Sequence, residues 1–314
     1  MSSIVRLLKS YPSLPIIGAL LALFSSLSPY FFTPGNAESI LLANSVVLIA
    51  AVGMTMVFLT GGIDLSIATV ISATAVVAGV VMASTDSVFL GTCAALFTGL
   101  AFGLLNGICV GFFGLNPFIT TMGTALVARG IAFTLSEGIA VKGTPDALLD
   151  FGFELAWGIP YIMLVGIAVV IVCAFVMSQT TWGRQVMLFG SNRNAARYCG
   201  MNTRLIETSV YVLSGLLAGI AGMMSIANLG NALPGVGDTL LLLIIGGVVL
   251  GGTHMNGGEG SIMRTVLGVT ILAILTSGLN LMGIPFYDQL IVQGALIFVG
   301  YTLAMKLGNS NANQ

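Results

Sequence analysis

Charge is what this sequence has least of: only 7% of its 314 residues are Asp, Glu, Lys or Arg, against 57% hydrophobic. An ordinary soluble domain carries roughly 25% charged residues, so a water-facing shell around one core is excluded. The ten basic and eleven acidic residues nearly cancel, which argues against a nucleic-acid footprint or a polybasic lipid tether. Histidine occurs once, as His254 beside Met255 and Asn256, with no HExxH pattern and no second ligand to make a metal site. The four cysteines, Cys93, Cys109, Cys173 and Cys199, have no zinc or redox spacing and read as packing residues. There is no GxSxG around a serine nucleophile and no GxxxxGK[ST] phosphate loop. An intramembrane enzyme is therefore disfavoured, and if ATP drives this protein another chain binds it. The scarcity of acids and bases inside apolar runs also argues against a proton-coupled carrier, which needs a titratable relay near the membrane midplane.

What fills the sequence instead is long apolar stretches such as Ser39 to Leu59. They are continuous rather than alternating, so they predict membrane helices and not a β-barrel. Ten candidate spans fall at about 14–31, 39–59, 65–83, 88–113, 117–136, 159–178, 208–227, 238–252, 264–282 and 288–306. The first is read as a retained span, because its apolar run reaches Phe31 and no A-x-A-like cleavage site follows. The eighth is short and holds Gly246, Gly247, Gly251 and Gly252, the pattern of a broken or partial span. The chain reads as one transmembrane domain over 1–314 with a polar tail from Gly308.

Basic residues in short loops collect on the cytoplasmic side. With the N-terminus inside and ten crossings, Arg6, Lys9, Arg184, Arg193, Arg197, Arg204, Arg264 and Lys306 are all cytoplasmic, and Lys142 is outside. Arg129 falls within a span. Both termini are thus expected in the cytoplasm of a bacterium, in its inner membrane. Two non-helical stretches are expected outside the spans: an outer one, Glu137 to Gly158, with four acids, and an inner loop at about 179–207 that holds one short helix. In the inner one Ser191 is placed to cap, and Gly200 to end, a short helix over Asn192 to Cys199. Arg193 and Arg197 share one face of it, while Ala195, Ala196 and Cys199 form a small-residue surface. Such a helix either lies on anionic headgroups or docks a cytosolic protein.

Glycine is abundant, at 41 copies, often at close-packing intervals as in Gly99-Leu-Ala-Phe-Gly103. Uncharged polar residues are embedded in the apolar runs, the lining that an uncharged hydroxylated solute requires. Asn116, Phe118, Thr121 and Asn228 are selected for the path by polarity and expected depth. Two readings follow, an ATP-driven permease for such a solute or an ATP-independent channel or facilitator.

Three stretches carry a resemblance to a known family. Thr60-Gly-Gly-Ile-Asp-Leu-Ser66 resembles the GGIDLS motif of the ribose/galactose-type (monosaccharide) ABC importer permeases. Phe189-Gly-Ser-Asn-Arg-Asn-Ala-Ala-Arg-Tyr-Cys-Gly-Met-Asn202, followed by Tyr211-Val-Leu-Ser-Gly-Leu-Leu-Ala-Gly219, resembles their GGN-x-x-AA-x-x-G loop and YxLSGxxAG helix. Gly251-Gly-Thr-His-Met-Asn-Gly-Gly-Glu-Gly-Ser261 resembles GGTSLxGGxGS, and together with Asn116-Pro-Phe-Ile-Thr-Thr-Met-Gly123 these cover nearly the whole chain in the family's order.

The resemblance implies an all-α type II ABC importer-like permease. It implies a second permease chain, identical or paralogous, a cytosolic ATPase subunit holding ATP and Mg, and a periplasmic solute-binding protein. It implies no cofactor in this chain. It assigns coupling to the ATPase to Arg193, Asn194, Ala195, Ala196, Arg197 and Gly200. The Gly61-Gly62 and Gly257-Gly258 turns are then expected to support that contact or gate the inner exit, and Asp64 to cap the third helix or to act in transport directly. One departure stands out. Many members have an acidic Y-E-L-D-A-I-A-like stretch entering the eighth span where this chain reads Gly235-Val-Gly-Asp-Thr-Leu-Leu-Leu-Leu243, so solute identity does not transfer from them.

Overall fold

The computed structural model describes residues 13–312, with side chains as far as Gly300 and at Thr302. Arg6 and Lys9 lie outside the described residues, as does the side chain of Lys306. The helices are α1 Ser13–Leu27, α2 Pro34–Leu59, α3 Ile67–Thr85, α4 Val88–Gly107, α5 Pro117–Leu135, α6 Asp146–Phe153, α7 Tyr161–Gln179, α8 Thr181–Ser191, α9 Arg193–Tyr198, α10 Thr203–Leu229, α11 Leu240–Leu250, α12 Ile262–Leu281 and α13 Phe286–Ala312. Among the described residues, seven helices are long and apolar enough to cross a membrane: α2, α3, α4 with its extension to Phe112, α5, α7, α10 and α12. The apolar helices α1, α11 and the Phe286–Gly300 part of α13 are shorter. These ten fall on the ten apolar runs. Lipid cannot supply backbone hydrogen bonds, and each helix satisfies its own.

Helix starts follow local chemistry. Thr33, Ser87, Asn116, Thr180, Asn192, Asn202 and Ser261 each accept a first-turn amide with their side chains, and Pro34 and Pro117 stand where a helix needs no N–H.

Lipid tails are as apolar as leucine, so helices here are held by close packing rather than by escape from water. α10 occupies the centre. Its Gly219 lies against Ala95 and Leu96 of α4, its Gly215 against Gly99 and Gly103, and its Thr208 against Gly107 and Gly111 of α4 and its extension, all at close range, where a methyl on Gly99 would strike the Gly215 carbonyl. On its other faces Ser214 meets Gly53 of α2, and Gly222 meets Thr74 and Ala75 of α3. α4 ends in a π-helical turn, Ile108–Phe112, and the Gly107 carbonyl at that junction accepts the Thr208 hydroxyl of α10 at 2.8 Å.

Two expectations need correction. The segment at about 179–207 is not a loop but α8, α9 and the first turn of α10, and the cap of α9 is Asn192, whose Oδ1 accepts the Ala195 amide at 2.9 Å. The Ser191 hydroxyl instead donates to the Met187 carbonyl at 2.9 Å inside α8. The stretch Glu137 to Gly158 likewise contains α6 and a two-residue antiparallel hairpin, Leu155–Ala156 with Ile159–Pro160, and Gly152 of α6 packs on the Ala227 carbonyl of α10.

Candidate coupling face and solute path

The three glycine-rich motifs, far apart in sequence, meet at one end of the bundle. The α2–α3 turn, the end of α8 and the loop between α11 and α12 touch through backbone. The Gly258 amide donates to the Leu59 carbonyl at 3.0 Å, and a methyl on Gly190 would drive into that same carbonyl. Gly257 packs on Gly61 and Gly190, and Gly258 on Ser191. Gly61, Gly257 and Gly258 have φ of +75°, +88° and +77°, a region that L side chains rarely adopt. Gly62 faces the Tyr211 hydroxyl of α10, which donates to the Ile63 carbonyl at 3.2 Å. Gly61, Gly257 and Gly258 therefore belong to one contact, and Gly62 packs beside it on Tyr211.

Helix α9 projects from this junction. Its Ala196 is 4% exposed and turned into the protein, whereas Asn194, Ala195, Arg197 and the helix-ending Gly200 are exposed, and Tyr198 is 92% exposed. Arg193 is spent internally: its guanidinium pairs with Glu207 at the start of α10 and lies 4.9 Å over the Phe189 ring of α8. Partial burial, and next the like charge of Arg197, pull the Arg193 pKa below its ordinary value, and the neighbouring carboxylate keeps it paired. Of the residues expected on the small-residue surface, Ala195 and Cys199 face outward and Ala196 does not. Tyr198 is added to that surface; it stands in the quoted motif, but spacing alone did not mark it.

Behind the junction is a buried polar network centred on Asp64. Its Oδ1 accepts from the Ser66 amide at 3.0 Å and the Ser66 hydroxyl at 2.6 Å, and its Oδ2 accepts from Ser214 of α10 at 2.8 Å. Asn106 of α4 donates to the Ser66 hydroxyl at 2.8 Å and accepts from Thr124 of α5 at 2.7 Å. α3 itself starts with Ser66 at the cap position and no side-chain cap bond. Asp64 thus acts as a hub joining α3 and α10 and, through Ser66 and Asn106, α4 and α5. A buried carboxylate is tolerated only when hydrogen-bonded in this way.

The residues selected for a path are split between the start of α5, which holds Asn116, Phe118 and Thr121, and the far end of α10, which holds Asn228. Asn116 caps α5, accepting the Phe118 amide at 2.9 Å, and Phe118 is half exposed. Thr121 is buried in the network, accepting the Leu65 amide at 3.1 Å. Asn228 lies near the far end of α10, about twenty residues and hence roughly 30 Å along the helix from the Thr208 contact.

What spacing missed lies beside the eighth span, which is short as expected but is interrupted before its helix: Gly246 and Gly247 lie inside an unbroken α11, and the non-helical chain precedes Leu240. Ala232 packs on Gly79 near one end of α3, but Gly237 packs on the Ala68 carbonyl near the other, its amide donating to Ser72 at 2.8 Å. Residues 232–237 therefore descend roughly 16 Å along α3 without helix, and α11 completes the crossing. At the break, Asp238 pairs with Arg129 of α5 at 2.9 Å, with side chains 34% and 52% exposed, and Arg129 stacks 5.6 Å over Phe133. An Arg at a helix centre costs about 2.5–3.5 kcal/mol to insert, so an Arg within a span marks a functional position unless it is paired and buried.

The family model described as "Branched-chain amino acid transport system / permease component" matches residues 36–300. Ribose import permease protein RbsC of Escherichia coli K12 is 37% identical over 299 residues, covering 94% of this chain and 93% of its own. D-allose transport system permease protein AlsC of the same strain is 32% identical, covering 93% and 90%. L-arabinose ABC transporter permease protein AraH of Azospirillum brasilense is 33% identical, covering 90% and 85%. No solved structure matches the chain. With its apolar helices and a family match over most of its length, this multi-pass inner-membrane chain belongs to the permease components of ATP-driven importers, in the family described by the branched-chain amino acid transport permeases.

Proposed function

We propose that the protein is the membrane subunit of an importer for a monosaccharide or related neutral polar solute. It works as a single transmembrane domain paired with a second permease chain. A cytosolic ATPase subunit, carrying ATP and Mg, docks on α9, and a periplasmic solute-binding protein delivers solute at the opposite end, where α6 and the hairpin lie. Both termini are cytoplasmic in this reading, which the bias of Lys and Arg toward that side supports. The similarity to ribose, allose and arabinose permeases over nine-tenths of the chain supports a sugar over the amino acid of the family's description.

The observation that carries the reading is the backbone junction beneath α9. Gly190 and Gly258 lie directly on the end of α2, so a displacement of α8 and α9 has no slack to absorb it. It passes to α2, to the α11–α12 loop and, through Tyr211 and Asp64, to α10. Arg193, Phe189 and Glu207 keep α9 rigid on its base. Asn194, Ala195, Arg197, Tyr198 and Gly200 remain free to meet the ATPase.

The test is affinity purification of the tagged chain from bacterial membranes together with uptake of D-ribose, D-allose and L-arabinose. A stoichiometric ATPase is expected with the wild type and is lost in Ala195→Glu and Tyr198→Ala, which insert and dimerise normally. Uptake falls at least tenfold in both. An ATP-independent facilitator would purify without ATPase and tolerate both changes, and that result overturns the reading.

A further inference from the structure

We infer that Arg129, Asp238 and Phe133, at the break in the α11 span, form a contact site for a polyhydroxylated solute on an aqueous path through the membrane. The inference rests on the import reading above and gives it a place in the chain.

Three observations converge. The first is the exposure of charge: half of the Arg129 side chain and a third of that of Asp238 are open. Arg129 stands about six residues, or roughly 9 Å, from the end of α5, and its bond to Asp238 holds it at the level of the break. Charge at that depth is stable only against protein or water. The second is the backbone: non-helical chain at membrane depth persists only where it is buried or lines a water-filled cavity. Residues 232–237 are packed on α3 along one side, while on the other Gly235 has only Asp238 Oδ2 at 3.5 Å and the Phe133 ring at 3.7 Å near its open position. The third is the chemistry on offer. A carboxylate accepts from vicinal hydroxyls, a guanidinium donates in a planar fork, and an aromatic ring takes the apolar C–H face of a sugar. Mutual pairing of Arg129 and Asp238 keeps the site net neutral, so that an uncharged solute exchanges hydrogen bonds without stranding a charge.

The site therefore differs from the positions chosen by polarity. Thr121 is saturated by internal bonds, whereas Arg129 and Asp238 retain open donor and acceptor capacity.

The experiment uses the assembled transporter, permease with ATPase and binding protein, in proteoliposomes. In a background whose native cysteines are replaced by serine and which retains uptake, Arg129→Cys and Phe133→Cys are treated with a cationic methanethiosulfonate, with Phe175→Cys on the apolar face of α7 as control. Labelling of the first two at least tenfold faster than the control is expected; equal rates overturn the aqueous path. Separately, Arg129→Gln and Asp238→Asn are expected to cut the sugar moved per ATP hydrolysed at least tenfold, with assembly and stimulated ATP hydrolysis retained. The exchanged pair, Arg129→Asp with Asp238→Arg, keeps the ion pair but should not restore transport. Restoration would make the pair purely structural and overturn the site. If the wild type moves L-leucine and none of D-ribose, D-allose or L-arabinose, the solute class fails and the polyol site with it. Variants that match a sugar-transporting wild type sink the site alone.

Discussion

Two regions of this bundle are built on opposite principles. At the junction of Gly61, Gly190 and Gly258, side chains are excluded and backbone touches backbone. Along α5 only Thr121, Thr124, Ala128 and Ala132 are buried, and the rest of the helix, Arg129 included, lies open. The first arrangement transmits displacement because nothing in it can yield. The second presents chemistry because its side chains are not consumed by packing. In a protein held together without a hydrophobic drive between helices, glycine supplies stiffness and the few charges supply specificity.

The comparison is broken most severely at Gly190. Gly190→Val places branched carbon on the Leu59 carbonyl and the Gly258 amide, and overpacking against backbone has no rotamer by which to escape. Loss of about 3 kcal/mol, with uptake abolished, is expected from thermal unfolding in detergent and transport assays. An unchanged melting temperature would show that the junction is loose.

Asp64 comes next, because it links the junction to α5 through Ser66 and Asn106. Asp64→Ala leaves the Ser66 and Ser214 hydroxyls and the Ser66 amide without their acceptor, at a cost of about 2–4 kcal/mol. Asp64→Asn keeps the size and one good acceptor and should lose about half of that. The same unfolding assay ranks the three proteins, and a network that matters only locally would leave α10 as protected from hydrogen exchange in Asp64→Ala as in the wild type.

Most of this was legible in the sequence because membrane helices declare themselves by length and hydropathy, and because α9 carries its own stop at Gly200, although its cap is Asn192 and not the neighbouring Ser191. The shortness of the eighth span was visible in its apolar run, but Gly246 and Gly247, read as a break, lie inside continuous helix, and the interruption precedes Leu240. Three things were not legible. α8 reads as polar loop because its buried residues, Gly183, Val186 and Phe189, are few and its outer face meets water. The inward turn of Ala196 depends on which side of α9 meets α8 and α10, which spacing does not state. The pairing of Arg129 with Asp238 joins positions over a hundred residues apart, and nothing local to either one signals the other.

The smallest effect sharpens the comparison from the open side. Gly123 and Gly130 of α5 lie seven residues apart on the same helix, and neither would place a methyl within 4 Å of any other group. In a helix interior, Gly to Ala gains about 0.8–1 kcal/mol through restricted backbone freedom when nothing is in the way. Gly123→Ala and Gly130→Ala are therefore expected to unfold at slightly higher temperature in detergent, opposite in sign to Gly190→Val although the chemical change is similar. The paired permease is measured alongside by crosslinking in the membrane. A gain in stability with unchanged pairing means that this face of α5 meets fluid, lipid or water. Loss of pairing at either glycine would mean that the second chain approaches α5 as closely as α10 approaches α4, and would move the boundary between the stiff and the open parts of the molecule to the other side of Arg129.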